Sequence, residues 1–252
     1  MIRYGIVGYG RIGKRLAARL PGATAILARQ GEASDVFCTT LDAFIARKPV
    51  VAVECASAQA LAEHGPALLA AGIDLVPLSL TALADPDVER RLMAAAKAGP
   101  GRLEIAPGAI GTLDLLASAR EEGLRRVVYR QLKSPAMWQL TPAARLVDLG
   151  AVHGRQVFFK GSVREVARLM PNNLNTSVGV ALAGMGLDAT EAELVADPAI
   201  GETAHELEIH AAPGTAVLKL GGREVAPDGD PVDYTTFSLM RILKRRQSRA
   251  II

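Results

Sequence analysis

The sequence predicts an α/β protein in which a doubly wound parallel sheet is followed by an α+β domain with a mixed sheet. Three observations predict this fold class. The glycine motif Gly8-Tyr-Gly-Arg-Ile-Gly13 lies between a buried apolar run and a helical repeat. Strand-like and helix-like segments then alternate with short connections up to about residue 107, which is typical of a parallel sheet. Beyond that point, several strands with few helices between them indicate a mixed sheet.

The first strand, turn and helix form the pattern that a dinucleotide site requires. Residues 4–7 are apolar, and residues 14–20 repeat apolar side chains at helical spacing. Gly8 permits a tight turn, Gly10 lets a pyrophosphate approach the backbone, and Gly13 lets the helix pack against the strand. We expect a Rossmann domain that binds phosphate at the helix start, although a glycine turn can also serve packing alone. The expected cofactor contacts here are Gly8, Gly10, Arg11, Ile12 and Gly13.

The second predicted strand, residues 24–29, ends where a dinucleotide fold selects its cofactor. An acidic residue there would bind the ribose 2′-hydroxyl of NAD, whereas an arginine accommodates the 2′-phosphate of NADP. This sequence has Arg29, with Glu32 and Asp35 just beyond it. The pattern favours NADP, or use of both NAD and NADP, unless Arg29 is simply a solvated strand end.

The remaining elements of the first domain follow in order. They are a helix at 39–48, a strand at 50–55, a helix at 59–71, a strand at 73–79, a helix at 85–98 and a strand at 103–106. The strand at 50–55 leads into Cys55, Ala56 and Ser57. Because the carboxyl ends of parallel strands border the ligand crevice, these three residues are expected to line the cofactor. For Cys55, the pattern favours a small buried apolar side chain without a further role.

The second domain shows a different pattern. Its predicted strands cover residues 126–133, 157–161, 207–211 and 215–220, and its helices cover residues 164–169 and 174–184. A last helical segment, within residues 231–252, is expected to pack back on the first domain. The sequence therefore predicts a Rossmann domain over 1–107 that includes this helix, and an α+β domain over 108–230.

Composition excludes several classes of function. The chain has 29 basic and 26 acidic residues, a net charge of +3, which gives no electrostatic reason to expect nucleic acid or an anionic membrane as a partner. Cys38 and Cys55 lack the spacing of a metal site, so we expect reduced thiols and no metal. No uncharged apolar stretch reaches about 18 residues, and the first strand leaves no room for a signal peptide. A cytoplasmic protein is expected.

Four histidines are candidates for the proton transfer that accompanies hydride transfer to a dinucleotide. His64 and His153 fit surface positions, whereas His205 and His210 lie in a loop that leads into a strand. Such a histidine could face a crevice between domains, although a surface position is the commoner case.

Polar residues elsewhere in the second domain are candidates for binding. Lys133, at the end of a strand, could bind a substrate carboxylate or remain exposed. The asparagines of Asn172-Asn-Leu-Asn175 either cap the helix that follows or place an amide against the nicotinamide or the substrate.

Taken together, these segments resemble the L-aspartate dehydrogenase family nearly from end to end. The segments that carry the resemblance are Gly8–Gly13, Val53-Glu-Cys-Ala-Ser57, Pro107-Gly-Ala-Ile-Gly-Thr-Leu-Asp114, Lys133-Ser-Pro135, Phe159-Lys-Gly-Ser162, Pro171-Asn-Asn-Leu-Asn175, Ala196-Asp-Pro198 and the His205 segment. The resemblance implies a homodimer whose second domain binds the substrate and forms the dimer. It also implies oxidation of L-aspartate, a dicarboxylic amino acid, to iminoaspartate with NAD or NADP. The imine then hydrolyses to oxaloacetate and ammonia or feeds NAD biosynthesis.

The resemblance also assigns residues and marks two departures. His205 falls at the family's active-site histidine, and Ala109 and Asn175 fall where the family binds the dinucleotide. Lys133, Asn173 and Thr203 are the candidate substrate contacts. Thr203 replaces the family's usual asparagine, and the family's lysine near the last helix is replaced by Asp233 or Tyr234. These departures leave two alternatives open: a related dehydrogenase or reductase of another small amino or keto acid, and a non-catalytic NAD(P)-binding redox sensor.

Overall fold

The structure is a computed structural model, and it describes residues 2–30, 34–121, 123–171, 173–221 and 234–249. It divides the chain into two compact units. The first unit comprises Met1–Ala109 and Tyr234–Ile252, and the second comprises Ile110–Asp233.

A five-stranded parallel sheet forms the centre of the first unit, with the strand order β3-β2-β1-β4-β5. Its strands are β1 (Tyr4–Val7), β2 (Ala23–Leu27), β3 (Phe37–Cys38), β4 (Val51–Glu54) and β5 (Asp74–Pro77). The helices of this unit are α1 (Arg11–Arg19), α2 (Leu41–Ala46), α3 (Ala58–Ala70), α4 (Pro86–Ala98) and the last helix of the chain, α9 (Tyr234–Arg245). Every residue of β1 and β4 is buried, as expected for strands covered on both faces. The predicted doubly wound parallel sheet is confirmed.

The strand predicted at 103–106 is reduced to a single parallel bridge between Leu75 and Leu103. The N–H of Leu75 donates to the carbonyl of Arg102 at 2.8 Å, and the N–H of Glu104 donates to Leu75 at 2.9 Å. The turn of Gly99-Pro-Gly101 before this segment and Pro107 after it leave little chain to extend the ladder.

Helix α9 packs within the first unit. Leu239, Ile242 and Leu243 are buried in the same apolar cluster as residues of β1, β4 and α1. Beyond this apolar stripe, Arg245 donates to Glu104 at 2.7 Å, and Arg246 forms ion pairs with Asp74 and Glu104. The helix is therefore held by an apolar face and by charges at its C-terminal end.

The second unit contains a mixed five-stranded sheet with the order β10-β9-β6-β8-β7. Its strands are β6 (Leu124–Lys133), β7 (Gln156–Ser162), β8 (Glu191–Ala196), β9 (Ala204–Ala211) and β10 (Gly214–Leu220). The central strand β6 pairs in parallel with β8 and antiparallel with β9. The prediction of a mixed sheet is confirmed, although the pattern analysis did not find β8.

Helices cover one face of this second sheet. They are α5 (Leu113–Glu121), α7 (Val163–Leu169) and α8 (Asn175–Ala183), while the short α6 (Pro135–Gln139) directly follows β6. Helix α8 contacts both α5 and α7, and its residues Ser177–Ala181 are all buried. Because side chains alternate along a strand, Val127, Tyr129 and Gln131 of β6 share one face of the sheet. Tyr129 hydrogen-bonds Thr176 of α8, so this is the helix-covered face.

The opposite face of the second sheet carries a set of paired charges that we call the ion-pair ladder. Its members are Arg126, Arg130, Arg155, Lys160, Glu191, Glu193, Glu206, Glu208, His210 and Lys219. Each of the four glutamates lies within 4.0 Å of at least two basic groups on neighbouring elements. Arg130, for example, bridges Glu193 on β8 at 2.5 Å and Glu208 on β9 at 2.9 Å. The ladder therefore links all five strands of this sheet and Arg155, the residue that precedes β7.

Candidate active site

The glycine loop of the first unit has the geometry that its sequence predicts. Gly8 has φ +99°, and a Cβ there would lie 2.6 Å from the Cβ of Ala56. A Cβ at Gly13 would collide with the carbonyl oxygen of Gly8. By contrast, apart from the residues adjacent to Gly10 in the chain, no atom of the described residues lies within 4 Å of its Cβ position. Gly8 and Gly13 thus serve the fold, and the space beside Gly10 fits a close ligand such as a pyrophosphate.

Helix α1 begins immediately after this loop, at Arg11, with Gly10 as its N-cap residue. Gly10 has no side chain to cap the helix, and the first turn contains no acidic side chain. The positive end of the helix dipole therefore lies at this loop, and no carboxylate of the first turn neutralises it. Both features suit an anionic ligand, and Arg11 and Ile12 occupy this first turn.

A buried carboxylate that the sequence analysis missed fixes the turn after β4. Glu54 is 1% exposed and accepts hydrogen bonds from the N–H of Ala56 at 2.7 Å and of Ser57 at 3.0 Å. It also accepts from the N–H and the hydroxyl of Ser79, at 3.1 and 2.9 Å. Burial raises the pKa of Glu54, and these four hydrogen bonds oppose the rise. In the sequence, Glu54 is the only charged residue of the apolar strand that it ends, and this pattern could have indicated a buried carboxylate.

The residues expected to line the cofactor have distinct roles in this turn. The Cys55 thiol donates to the carbonyl oxygens of Gly8 at 3.4 Å and of Val7 at 3.6 Å. Burial raises the pKa of this thiol, so Cys55 is a neutral group that ties β4 to the glycine loop. Ala56 packs beneath Gly8, and the Ser57 hydroxyl caps α3 by accepting from the N–H of Ala60 at 3.1 Å.

Arg29 lies two residues beyond the end of β2 and is exposed. Its neighbour in the prediction, Glu32, lies outside the described residues, and Asp35 is exposed. Ala109 is the last residue of the first segment of this unit, between Gly108 and Gly111, whose φ angles are +56° and +72°.

In the second unit, His205 lies in a strand and not in the predicted loop. It is the second residue of β9, where it pairs with Gln131 of β6 and Leu220 of β10. The strand starts earlier than predicted because β6 extends to Lys133 and provides hydrogen-bonding partners for the residues before Leu207. Thr203 is the residue immediately before this strand.

The side chain of His205 hydrogen-bonds Tyr129, a residue that the sequence analysis missed. The hydroxyl oxygen of Tyr129 lies 2.7 Å from Nδ1 of His205. Tyr129 is completely buried, which raises the pKa of its phenol, and its hydroxyl also hydrogen-bonds the side chain of Thr176. A neutral phenol therefore connects the imidazole to the start of α8.

Lys133 and Asn173 come together at the end of β6. Lys133 is 8% exposed, its Nζ lies 3.5 Å from Oδ1 of Asn173, and it lies 5.0 Å from the ring centre of Trp138. A buried ammonium is costly in an apolar environment, and the carboxylate of a bound substrate would reduce this cost. The alternative interpretation, that Lys133 remains exposed, is wrong.

Neither Asn173 nor Asn175 is the N-cap residue of α8. The N-cap residue is Leu174, without a side-chain cap bond, and Asn175 is the first helical residue. Asn172 lies outside the described residues. The amides of Asn173 and Asn175 thus remain candidates for ligand binding, as the second interpretation of this motif proposed.

Of the residues that the sequence analysis singled out, the second unit brings His205, Lys133 and Asn173 to one end of its helix-covered face, together with Tyr129 and Gln131. His210 lies on the opposite face, where it hydrogen-bonds Glu208 at 2.5 Å. Tyr234 is the first residue of α9 and is exposed, and Asp233 lies outside the described residues.

Comparisons with known proteins follow the division into two units. Residues 114–246 match the family model described as aspartate dehydrogenase, C-terminal, and residues 8–106 match the NAD-binding domain of homoserine dehydrogenase. The chain is 37% identical to the L-aspartate dehydrogenase of Serratia proteamaculans over 251 residues, which cover 95% of each chain. The chain belongs to the L-aspartate dehydrogenase family. The L-aspartate dehydrogenase of Pseudomonas aeruginosa is 40% identical over 196 residues, which cover 78% of this chain and 73% of that one.

The family is also evident in the fold. The crystal structure of aspartate dehydrogenase from Thermotoga maritima superposes with a TM-score of 0.78 at 27% identity, covering 100% of this chain and 99% of that one. The resemblance seen in the motifs is thereby confirmed, and so is the enzyme class, an NAD(P)-dependent amino-acid dehydrogenase. Among the described residues, no helix is long and apolar enough to cross a membrane.

Proposed function

We propose that this member of the aspartate dehydrogenase family oxidises L-aspartate with NAD or NADP. The observation that carries the proposal is the hydrogen-bonded pair of half-buried His205 and buried Tyr129, on the same sheet face as Lys133 and within the domain that matches the family model. These groups supply a proton acceptor, a residue that orients it and a cation for a carboxylate. A redox sensor needs none of them, so the non-catalytic alternative is less well supported.

The dinucleotide would be held at the glycine loop and by further residues that the sequence and the family motifs indicate. The proposed contacts are Gly8, Gly10, Arg11, Ile12, Gly13, Arg29, Cys55, Ala56, Ser57, Ala109 and Asn175. When bound, the nicotinamide accepts a hydride from the substrate. The open space at Gly10 and the uncapped start of α1 support the pyrophosphate position. The exposed Arg29 beyond β2 suits the 2′-phosphate of NADP, so we propose NADP or use of both cofactors.

His205 is the proposed general base. The ammonium of L-aspartate must lose protons for a C=N bond to form as the hydride leaves Cα. For Nε2 of His205 to accept a proton, Nδ1 must carry the ring hydrogen and donate it to the Tyr129 oxygen at 2.7 Å. The same hydroxyl is also hydrogen-bonded to the side chain of Thr176. This chain of hydrogen bonds fixes one tautomer of the imidazole.

Lys133 is the proposed partner of a substrate carboxylate, with Asn173 and Thr203 beside it. The mostly buried ammonium of Lys133 gives an anionic substrate a stronger attraction than an exposed lysine would. The amide of Asn173, 3.5 Å from that ammonium, orients the group and offers a donor of its own. Thr203 supplies a shorter hydrogen-bonding side chain than asparagine.

The product of this reaction is iminoaspartate, which water converts to oxaloacetate and ammonia. After His205 releases the accepted proton to solvent, its imidazole is able to accept a proton from the water that attacks the imine. An imine that escapes hydrolysis would be available for NAD biosynthesis. By its family, we also propose that the protein acts as a homodimer in the cytoplasm, with the second domain forming the dimer.

The test is a steady-state assay of nicotinamide reduction with L-aspartate, run in parallel with NAD and NADP. Turnover with L-aspartate supports the proposal. A folded protein that binds cofactor but does not oxidise L-aspartate would contradict it, and other small amino acids and keto acids with ammonia would then be assayed.

The same assay tests the role of Arg29. Replacing it by Asp removes the partner of a 2′-phosphate and introduces repulsion, so the NADP to NAD ratio of kcat/KM should fall by about 10-fold or more. Arg91→Asp, at an exposed arginine of α4, is the matched control and should leave this ratio unchanged. An unchanged ratio in Arg29→Asp would remove Arg29 from cofactor selection.

A further inference from the structure

One buried amide in the second unit has an unexplained polar atom. Gln131 is 3% exposed, and its Oε1 has no hydrogen-bond partner among the described residues. A buried carbonyl oxygen without a partner costs roughly 1–3 kcal/mol, and most such atoms in proteins are paired. Gln131 therefore offers a buried hydrogen-bond acceptor that a bound ligand can use.

The position of Gln131 connects it to the proposed active site. It pairs directly with His205 across β6 and β9, so the two side chains lie on the same face of the sheet. Tyr129 and Lys133 are two residues away on either side and share that face. Directly opposed side chains have Cβ atoms about 4.5–5.5 Å apart, so one small molecule can contact both Gln131 and His205.

The chemistry of these neighbours defines what is missing. Lys133 can only donate hydrogen bonds, and it already meets an acceptor in Asn173. Tyr129 and Nδ1 of His205 are engaged with each other. A substrate with a primary amine brings several N–H donors, of which His205 can accept one. The remaining donors need an acceptor, and Oε1 of Gln131 is a buried acceptor that lacks a donor.

We propose that Oε1 of Gln131 accepts a hydrogen bond from the amino group of the substrate and so selects amines at this site. This inference rests on the proposed function and adds the residue that recognises the reacting nitrogen. The contact can persist through the reaction, because ammonium, amine and imine each retain at least one N–H. Ligands that lack the amine leave the amide oxygen unpaired, and the site therefore disfavours them.

A second buried orphan in the same unit provides a control. Thr190 is completely buried, and its Oγ1 has no hydrogen-bond partner among the described residues. It directly precedes β8, in which Leu194 pairs with Gln131. At about 3.3 Å per residue, the four residues from Thr190 to Leu194 span about 13 Å. Thr190→Val therefore removes an unpaired polar atom that is separated from Gln131 along the sheet.

The experiment measures coupling between the side chain and the ligand's amine. L-Aspartate and succinate, which differ by that amine, are titrated calorimetrically into the protein saturated with NADPH, where L-aspartate cannot be oxidised. In wild type, L-aspartate should bind more tightly than succinate. Gln131→Met, which keeps the volume and removes the amide, should weaken L-aspartate by about 10- to 100-fold and succinate by less than about 3-fold. Thr190→Val should change neither.

Other results of this experiment would contradict the role of Gln131, the proposed reaction or both. Equal weakening of both ligands in Gln131→Met would make the amide a structural group and overturn the inference. If that variant does not fold, Gln131→Glu should raise the preference for L-aspartate over succinate, and an unchanged preference would overturn it. If Gln131→Met selectively weakens L-aspartate binding but the wild-type enzyme does not oxidise L-aspartate, the proposed reaction is contradicted. The contact between Gln131 and the amino group would still be supported. Failure of wild type to bind L-aspartate would overturn both.

Discussion

The two faces of the second sheet carry polar residues of opposite kinds. On one face, the ion-pair ladder joins charges of opposite sign, and each of its glutamates meets at least two basic groups. On the helix-covered face, His205, Tyr129, Gln131 and Lys133 form a small cluster. It contains an acceptor without a donor among the described residues and a mostly buried cation.

The difference separates residues that stabilise from residues that bind. Arg130 sits between two carboxylates, so an added ligand would have to displace an existing partner before it gained anything. Gln131 has unused hydrogen-bonding capacity, and filling it costs no existing contact. The same strands can therefore carry both sets, because successive side chains of a strand point to opposite faces.

The largest effect is expected from the two histidines of β9, which test the comparison directly. His205→Ala should lower kcat by about 10²- to 10⁴-fold, because the proposed general base is lost. The dissociation constant of NADP should change little, since the expected cofactor residues do not include His205. Steady-state kinetics and cofactor titration of the same preparation give both values.

His210→Ala is the matched control, because His210 lies five residues along the same strand on the ladder face. It should leave kcat within about twofold of wild type. Loss of turnover in His210→Ala, or normal turnover in His205→Ala, would contradict the division between the two faces.

A smaller effect is expected when only the orientation of His205 is disturbed. Tyr129→Phe keeps the buried ring and removes the oxygen 2.7 Å from Nδ1, so both tautomers of the imidazole become accessible. We expect kcat to fall by about 10-fold with KM for L-aspartate nearly unchanged. The ring nitrogen shifts of His205, measured by NMR, should show Nδ1 protonated in wild type and a mixture in the variant.

A single tautomer in Tyr129→Phe would show that another group orients the ring. A rise in KM that matches the fall in kcat/KM would instead indicate that Tyr129 acts in substrate binding. Either result would remove the proposed hydrogen-bond chain from Thr176 through Tyr129 to His205.

Local patterns predicted the first unit better than the second. The glycine loop depends on residues close in sequence, so Gly8, Gly10 and Gly13 could be assigned before the fold was known. Strand β8 was missed because its sequence, Glu-Ala-Glu-Leu-Val-Ala, is rich in residues that are uncommon in strands. Its glutamates are stable there because Arg126, Arg130 and Lys160 on neighbouring strands neutralise them, which no local pattern reveals.

The candidate site shows the same limit. His205 was found from the family motif, but its partner Tyr129 lies 76 residues earlier and meets it only through the pairing of β6 with β9. Gln131 carried no signal at all, because a glutamine in a strand is unremarkable until its burial and its neighbour are known. Glu54 could have been noticed as the one charge at the end of a buried strand.

The smallest effect is expected on the ladder face, where pH should alter stability and leave catalysis unchanged. The hydrogen bond from Arg126, with Lys160 nearby, lowers the pKa of Glu191 to about 2. An unpaired glutamate has a pKa of about 4.3, so the folded state binds this proton less readily than the unfolded state. The contribution of Glu191 to stability is therefore complete above about pH 5 and is lost as pH falls toward 2.

Glu191→Gln should accordingly lower the free energy of unfolding at pH 7. The difference in unfolding free energy between wild type and this variant should shrink as the pH falls from about 5 toward 2. The single tryptophan of the chain, Trp138, is buried in the second unit and donates to the carbonyl of Val195 on β8, so its fluorescence reports unfolding of this sheet. Asp87→Asn, which breaks the exposed pair with Arg90 at 2.8 Å, is the control and should have little effect at any pH.

A difference in unfolding free energy for Glu191→Gln that stays constant with pH would show that the carboxylate contributes through packing and not through its charge. Unchanged kcat and KM at pH 7 would complete the contrast with His205, because a charge of the ladder would then matter to the fold alone.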